Sequence, residues 1–251
     1  MVRWDRLRAD GLFFCWEDGV FPPGTDSFLL SGFPLLRPGL RVCDLGCGTG
    51  LLGLLLLQRQ PELRVLGLDL SPRALELAEL ARARNGLGPE RLQFRPADLR
   101  DPADLRNACG SGAAPGSGPF DLVICNPPYL PAGSGAPPAL LSARTESGCT
   151  LEELCAAAAR LLRRGGRLCL VHRPERLTDA LCALRAAGLE PKRLRFAEHT
   201  AGAAPSLLLL EGRSGGRPGL RVLAPLVLYR PDGTPSAELD AIYFRTKEND
   251  A

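Results

Sequence analysis

The composition of the 251-residue chain, with 45% hydrophobic and 24% charged residues, is typical of a globular protein and excludes disordered, collagen-like and coiled-coil classes. The formal net charge of +3 is modest, and no apolar run approaches the ~20 residues that a membrane-spanning helix requires. An N-terminus that carries several acidic residues and lacks a small-residue cleavage site predicts no signal peptide, so we expect a cytoplasmic protein.

Strand-like apolar runs alternate with helical patterns from residue 41 onward. A strand at 41–45 is followed by a glycine turn and a helix to Gln58, and a strand at 64–69 is followed by a helix to about 85–86. Ser71 and Pro72 supply the N-cap and the first-turn proline of that second helix. A third strand at 91–95 leads to a short helix that opens at 101–102, and then to a Gly/Ser/Pro loop at 109–119.

The second half of the chain continues this alternation. The fourth strand is predicted at 120–125, then a proline-rich loop at 127–148 and a helix from Thr150 to Arg164 that Gly165 and Gly166 end. A strand at 167–172, a helix near 175–187 and strands near 193–198 and 206–211 follow, before an apolar run at 222–229 and a polar tail. The pattern predicts an α/β fold with a mostly parallel sheet, helices on both faces and ligands at the carboxyl ends of the strands.

A glycine-rich loop with the sequence DLGCGTG, from Asp44 to Gly50, lies between the first strand and its helix. Its glycines allow a tight turn and a close approach to a ligand, and the helix N-terminus offers N–H groups to an anion. The string that starts at Gly48 also fits the G-x-G-x-x-G pattern of dinucleotide sites, and Asp69 could accept hydrogen bonds from the ribose of either ligand. Asp44 favours S-adenosylmethionine, because a carboxylate there would repel a pyrophosphate but attract a cationic amino acid group.

A second motif, NPPY from Asn126 to Tyr129, follows the fourth strand at the same edge of the sheet. Pro127 and Pro128 fix the backbone, which leaves the Asn126 side-chain oxygen and the Pro127 carbonyl as acceptors aimed at one point. A planar exocyclic amine can donate to both acceptors, and its lone pair then turns toward an incoming methyl group. Tyr129 can stack on the ring or amide that carries the amine. These four residues form the predicted catalytic set.

The two motifs together resemble those of class I methyltransferases that use S-adenosylmethionine. DLGCGTG with NPPY is shared by adenine-N6 methyltransferases of DNA and RNA and by release-factor glutamine methyltransferases. Further segments at 24–30, 126–135, 143–146 and 170–177 are similar to bacterial tRNA adenine-N6 methyltransferases of the small-domain type, which act beside the anticodon of valine tRNA. One departure is Thr145, where related sequences are expected to carry a histidine that contacts RNA.

The resemblance implies a Rossmann-like methyltransferase with a seven-stranded sheet, one antiparallel strand, S-adenosyl-L-methionine as cofactor and tRNA as substrate. It also implies that a Thr-Asp helix cap lies at the methionine end of the cofactor. We expect one domain over 1–251, with a lead-in at 1–40 that joins the cofactor site, a core at 41–211 and an extension at 212–251. The predicted cofactor residues are Thr25, Asp26, Asp44, Gly46, Gly48, Gly50, Asp69, Leu70, Asp98, Leu99 and Asn126.

Basic residues and cysteines limit the possible partners. Residues 160–195 carry ten basic and three acidic side chains, which suits either a solvated surface or one that binds phosphates. Arg173 and Arg176 from this segment, with Arg144, are the candidate RNA ligands. Nine scattered cysteines without a C-x-x-C pair and only two histidines predict reduced thiols and no metal site. We expect a monomer that binds no membrane, in which a lone histidine such as His172 is packed rather than catalytic.

Several alternatives stay open on the sequence alone. Asp98 suits an adenine contact and a helix cap equally well. Release-factor glutamine methyltransferases share the two motifs but usually carry a helical domain ahead of the core, whereas 43 residues precede Asp44 here. A DNA adenine methyltransferase would need a sizeable target-recognition domain, and a catalytically inactive protein that binds S-adenosylmethionine or RNA would not need an intact NPPY motif.

Overall fold

The computed structural model describes residues 1–18, 23–109, 118–127 and 149–245. Its strands are β1 (Val2–Arg6), β2 (Phe13–Glu17), β3 (Arg41–Leu45), β4 (Arg64–Asp69), β5 (Leu92–Pro96), β6 (Phe120–Cys125), β7 (Leu162–His172), β8 (Leu189–Glu198), β9 (Pro205–Ser214), β10 (Arg221–Val222) and β11 (Leu226–Val227). Its helices are α1 (Thr25–Ser31), α2 (Leu51–Arg59), α3 (Pro72–Arg84), α4 (Pro102–Cys109), α5 (Leu151–Leu161), α6 (Leu177–Ala186) and α7 (Ala237–Ile242), and a 3₁₀ turn spans Pro174–Arg176.

The central sheet has the strand order β8-β9-β7-β6-β3-β4-β5, and two-residue strands β10 and β11 both pair with β8. All neighbours are parallel except β9, which runs antiparallel to both β7 and β8. The expected sheet of seven strands with one antiparallel strand is therefore confirmed, with β10 and β11 as short additions at its edge. Because β3 and β6 are adjacent and parallel, the glycine loop and the NPPY motif begin at the same edge.

Two apolar cores cover the two faces of the sheet. Helices α1, α2, α3 and α7 pack on one face, and α4, α5 and α6 pack on the other. Along β3 the side chains alternate between them, since Val42 belongs to the first core and Cys43 to the second. Six of the nine cysteines are buried and all nine are reduced, in keeping with the sequence analysis. Within the described parts of the chain, no helix is long and apolar enough to span a membrane.

The predicted end of the helix that Thr150 caps is wrong. Thr150 forms a capping box with Glu153, but α5 ends at Leu161 rather than Arg164. Leu162 already pairs with Phe120, and the next matched pair is Leu122 with Arg167, so the intervening residues of β7 form a bulge. The two glycines therefore shape this bulge and do not end the helix: Gly165 adopts φ +79°, which few other residues tolerate.

A hairpin of β1 and β2, which the sequence analysis does not contain, packs against α2 and α3. The Asn85 side chain accepts a hydrogen bond from the Phe13 N–H at 2.8 Å and donates one to the Phe13 carbonyl at 2.7 Å. Gln58 accepts from the Leu12 N–H at 2.8 Å. Arg73 pairs with both oxygens of Glu17. These contacts fix the hairpin to α2 and α3.

Helix α7 is a second element that lies where only a polar tail was expected. Ser236 caps it by accepting from the Leu239 N–H at 3.1 Å. Arg59, in α2, donates from Nη2 to the Ile242 carbonyl at 2.6 Å and from Nε to Ser31 Oγ at 3.1 Å. Burial lowers the pKa of this guanidinium to about 10, so it stays charged at neutral pH. Arg59 thus joins α1, α2 and α7.

Candidate functional site

The glycine loop turns from β3 into α2 through three left-handed residues. Gly46, Gly48 and Gly50 have φ of +67°, +54° and +77°. A Cβ added at Gly46 or Gly48 would meet nothing within 4 Å, whereas one at Gly50 would lie 2.6 Å from the Phe94 ring. The first two glycines thus leave open space above the loop for a ligand, and the third allows close packing against β5.

Asp69 ends β4 and holds the glycine loop from the neighbouring strand. Its Oδ2 accepts from the Gly48 N–H at 2.8 Å, and its Oδ1 accepts from the Ser71 N–H at 2.8 Å. Each carboxylate oxygen can accept more than one hydrogen bond, so these contacts leave capacity for ribose hydroxyls. Asp69 therefore shapes the loop in addition to its predicted role.

Asp44 is a carboxylate without a hydrogen-bond partner. Its side chain is 1% exposed, and neither oxygen accepts a hydrogen bond of normal geometry from the described residues. Burial, and secondly the nearby charge of Asp69, raise the pKa of Asp44 to about 7, while the backbone N–H of Gly53 partly offsets this increase. An unpaired carboxylate at such a site is costly unless a cation joins it. This observation fits the ammonium group of a bound amino acid, as predicted.

Asn126 follows β6, and its amide is oriented by a residue that the sequence analysis did not single out. Its Nδ2 donates to Ser27 Oγ, in α1, at 3.0 Å. Because the donor edge of the amide faces α1, the acceptor Oδ1 lies on the opposite edge. Ser27 follows Thr25 and Asp26 directly, so its position in the 24–30 segment was the available signal. Pro127 is buried. Pro128 and Tyr129 lie outside the described residues.

The predicted Thr-Asp cap at the start of α1 is wrong. The N-cap of α1 is Gly24, no side chain caps the helix, and Thr25 and Asp26 are its first two helical residues. A side chain caps a helix from the N-cap position, which directly precedes the first helical residue, and Gly24 occupies that position here. Thr25 is exposed and Asp26 is half-buried. The contact that α1 makes with Asn126 comes from Ser27, and the cofactor roles of Thr25 and Asp26 stay predictions.

Asp98 lies after β5 as a partly exposed acid that is already paired. Both of its oxygens accept from the Arg100 guanidinium, at 2.7 Å to Nη2, and this ion pair lowers the pKa of Asp98. The geometry therefore matches the surface-acid interpretation at least as well as the adenine contact. Leu99 packs on the core beneath α4 to α6, whereas Leu70, after β4, is 61% exposed.

Arg173 and Arg176 lie just after β7, the strand next to β6. Arg173 is exposed and donates from Nη1 to the Ser206 carbonyl at 3.3 Å, while Arg176 pairs with Asp179 at 2.5 Å. His172 is 1% exposed, accepts from the Arg173 N–H at Nδ1, and has a pKa lowered to about 4, chiefly by burial. It is the packed histidine that we expected. Arg144 and Thr145 lie outside the described residues. The described residues contain no group of side chains that could hold a metal ion.

Two curated relatives align with more than half of this chain. The tRNA1(Val) (adenine(37)-N6)-methyltransferase of Porphyromonas gingivalis is 35% identical over 163 residues, which cover 62% of this chain and 60% of that protein. The release factor glutamine methyltransferase of Deinococcus radiodurans is 36% identical over 157 residues, which cover 59% of this chain and 51% of that protein. The chain thus spans between about half and two thirds of the length of these relatives.

The fold has a close counterpart among solved structures. A predicted O-methyltransferase from Agrobacterium tumefaciens matches with a TM-score of 0.70 at 22% identity, covering 88% of this chain and 97% of that one. The family model of the methyltransferase small domain matches residues 12–182, a stretch that contains the hairpin strand β2, the glycine loop and Asn126. The chain therefore belongs to the methyltransferase small domain family, and S-adenosylmethionine is the cofactor for which Asp44, Asp69 and the open glycine loop are suited.

Proposed function

We propose that this protein transfers the methyl group of S-adenosylmethionine to the exocyclic N6 amine of an unpaired adenosine in tRNA, beside the anticodon of a valine tRNA. The observation that carries the proposal is the Asn126 amide, which Ser27 orients at the end of β6 beside the glycine loop. We also propose that residues 1–251 work as one domain in the cytoplasm.

The proposed mechanism depends on acceptors rather than on a base. S-adenosylmethionine, when bound, supplies an electrophilic methyl group on a sulfonium. Asn126 Oδ1 and the Pro127 carbonyl accept the two hydrogens of the amine, which draws its lone pair out of conjugation. Ser27 accepts a hydrogen bond from Nδ2, and in the proposed complex Oδ1 is the atom that binds the substrate amine. No base has to act in the transition state, because the proton leaves after methyl transfer. Tyr129 remains the predicted stacking partner.

The similarity to tRNA1(Val) methyltransferases supports adenosine in RNA as the acceptor. An anticodon loop presents unpaired bases that can enter the Asn126 corner without the cost of opening a duplex. Arg173 is exposed beside this corner and suits a phosphate contact, whereas the charge of Arg176 is partly neutralised by Asp179.

A second candidate is a protein methyltransferase that acts on glutamine, because the release factor enzyme of Deinococcus radiodurans is similarly close in sequence. A glutamine side chain offers the same planar NH₂ group to Asn126 and Pro127.

Side-by-side assays separate the two candidates. We expect methyl transfer from labelled S-adenosylmethionine to total tRNA, with N6-methyladenosine in the nucleoside digest, and none to a peptide that contains Gly-Gly-Gln. Transfer to the peptide with none to any tRNA would overturn the proposal in favour of the glutamine enzyme. Transfer to neither, with S-adenosylhomocysteine bound normally, would indicate a protein that binds the cofactor without this chemistry.

Replacement of Asp69 tests the cofactor site. Asp69→Ala removes both the ribose acceptor and the bonds to Gly48 and Ser71, so we expect S-adenosylhomocysteine to bind about 10- to 100-fold more weakly, a loss of ~1.5–3 kcal/mol. Isothermal titration calorimetry measures this change, and Asp69→Asn, which keeps the shape and one acceptor, should be intermediate. If the parent protein binds NAD more tightly than S-adenosylhomocysteine, the site is a dinucleotide site instead.

A further inference from the structure

An open cavity of about 600 Å³ lies on the side of α1 that carries Thr25 and Phe28. It is lined by the turn of the β1–β2 hairpin, the start of α1 and the residues after α7. Its described lining includes Thr25 and Phe28 from α1 but none of the glycine loop, Asp44 or Asp69. Ser27, which orients Asn126, lies on α1 between those two lining residues. The cavity is therefore close to the catalytic corner, and Thr25 is the one predicted cofactor residue in its described lining.

One wall of the cavity is a column of stacked planar groups. The rings of Phe28 and Tyr243 stack with centroids 4.3 Å apart and an interplanar angle of 4°. The guanidinium of Arg245 lies over the Tyr243 ring, 4.7 Å from its centroid. Arg245 is exposed, so the column ends in a flat cation that faces solvent. Arginine planes and aromatic rings are the two surfaces on which proteins stack unpaired RNA bases.

Phe244, also in the lining, has a strained backbone. Its φ of +57° makes it the one non-glycine residue with positive φ in the described chain, a conformation that costs stability. Such a position normally favours glycine. Here it lets the chain turn after α7, so that the Phe244 ring packs under the Arg59 guanidinium, 4.5 Å from its centroid, while Tyr243 and Arg245 line the cavity. The structure thus holds the aromatic wall in place at a cost to stability.

Arginines outnumber acids in the lining of the cavity, and two of the three are paired with acids just outside it. Three arginines and one acid, Asp5, are among the lining residues. Arg6 is exposed and donates from Nη1 to the Ala9 carbonyl at 2.6 Å. Arg8 Nε lies 2.9 Å from Asp10 Oδ1. An occupant that complements this cavity carries a planar ring and a negative charge.

We propose that the cavity binds an unpaired nucleotide of the RNA substrate that lies close to the methylated adenosine. This inference rests on the proposed function and adds a second RNA site to it. The base stacks on the Arg245 guanidinium, and Arg6 and Arg8 hold the phosphate. Thr25 and Ser27 lie within one turn of α1 but on different faces, so the cavity and the Asn126 corner flank the same helix.

Binding to a fluorescently labelled anticodon stem-loop of valine tRNA tests this inference without relying on methyl transfer. Arg245→Ala is expected to weaken binding about tenfold in an anisotropy titration, as stacking of one base predicts. Arg6→Ala should also weaken binding and lower the salt slope by ~0.7, the loss of one single-strand phosphate contact. Arg64→Ala, an exposed arginine at the amino end of β4, is the matched control and should bind like the parent. S-adenosylhomocysteine affinity should be the same in all four proteins.

Two further measurements identify the kind of contact. Arg245→Lys keeps the charge but not the plane, so it should fail to restore binding if a base stacks there. Ultraviolet crosslinking of the stem-loop, followed by mass spectrometry of peptides, should mark 5–9 or 243–245. Parent-like binding by Arg245→Ala and Arg6→Ala, or crosslinks only outside these peptides, would overturn the proposal even where tRNA is methylated. A parent protein that binds no stem-loop at all would overturn it too, and peptide methylation would then identify the function that replaces it.

Discussion

Replacing Asn126 with alanine is expected to lower kcat on tRNA by on the order of 100-fold or more, with S-adenosylhomocysteine affinity within a few-fold of the parent value. The Asn126 oxygen binds the amine more strongly as the nitrogen becomes tetrahedral, so its loss appears in the transition state rather than in ground-state binding. Steady-state kinetics at saturating cofactor, with calorimetry for cofactor affinity, separate the two effects.

Two variants control for this prediction. Ser27→Ala removes one hydrogen bond to the Asn126 amide and should lower kcat by about 5- to 10-fold, the equivalent of ~1 kcal/mol, because the amide can then rotate. Asn107→Ala changes an exposed asparagine in α4 and should leave kcat unchanged. If Asn126→Ala keeps more than half of the parent kcat, the methyl acceptor is held elsewhere.

Replacing Asp44 with asparagine is expected to stabilise the ligand-free protein at pH 8 while weakening cofactor binding about tenfold or more. The pKa of Asp44 is about 7 in the folded chain and 3.8 in the unfolded reference. The folded state therefore binds more protons between these values, and its stability falls as pH rises from about 4 to about 7 and stays reduced above that range. The full difference corresponds to on the order of 4 kcal/mol at pH 8, part of which the unpaired amide of asparagine retains.

Thermal melts across pH measure the stability of the ligand-free protein, and calorimetry across pH measures cofactor affinity. At pH 8 the melting temperature of Asp44→Asn should exceed that of the parent by about 4 °C or more, and the gap should shrink at pH 5. Parent affinity for S-adenosylhomocysteine should fall below pH 7, with proton release on binding near pH 7, whereas the variant should show neither effect. Glu62→Gln, an exposed carboxylate, is the control. Equal stability and full affinity in Asp44→Asn would contradict the assignment.

The strands that carry the site could be predicted from the sequence because each is a buried apolar run with a clear boundary. The bounds of β3, β4 and β6 agree with the expected 41–45, 64–69 and 120–125. The β1–β2 hairpin also has strand patterns, since apolar and charged residues alternate in β1 and β2 is an apolar run, yet the sequence analysis does not contain it. What the pattern does not carry is its packing, part of which consists of cations on rings, such as Arg84 over Trp4 and Phe13. Helix α7 has only six residues and too little pattern to stand out from a polar tail.

In the candidate site, too, some residues could be predicted from the sequence and others could not. Asp44, Asp69 and Asn126 were found because each lies at the end of a strand, and parallel strands bring their ends together. The role of Ser27 depends on a contact with a residue 99 positions away, which no local pattern carries. The Arg100 partner of Asp98 was two residues away in the sequence, but whether the pair forms depends on the backbone turn between them.

The contacts of Arg59 have a consequence for the motions of the catalytic corner. Helix α1 has seven residues and α7 has six, and helices this short are not stable by themselves. One buried guanidinium bonds to the last residue of each helix, and Phe28 of α1 stacks directly on Tyr243, the residue after α7. We therefore expect local opening of either helix to weaken the packing of the other, and opening of α1 to release Ser27 from Asn126 together with the Phe28–Tyr243 stack. How often the amide of Asn126 is in its productive orientation is then set, in part, by the local stability of a segment more than a hundred residues further along the chain.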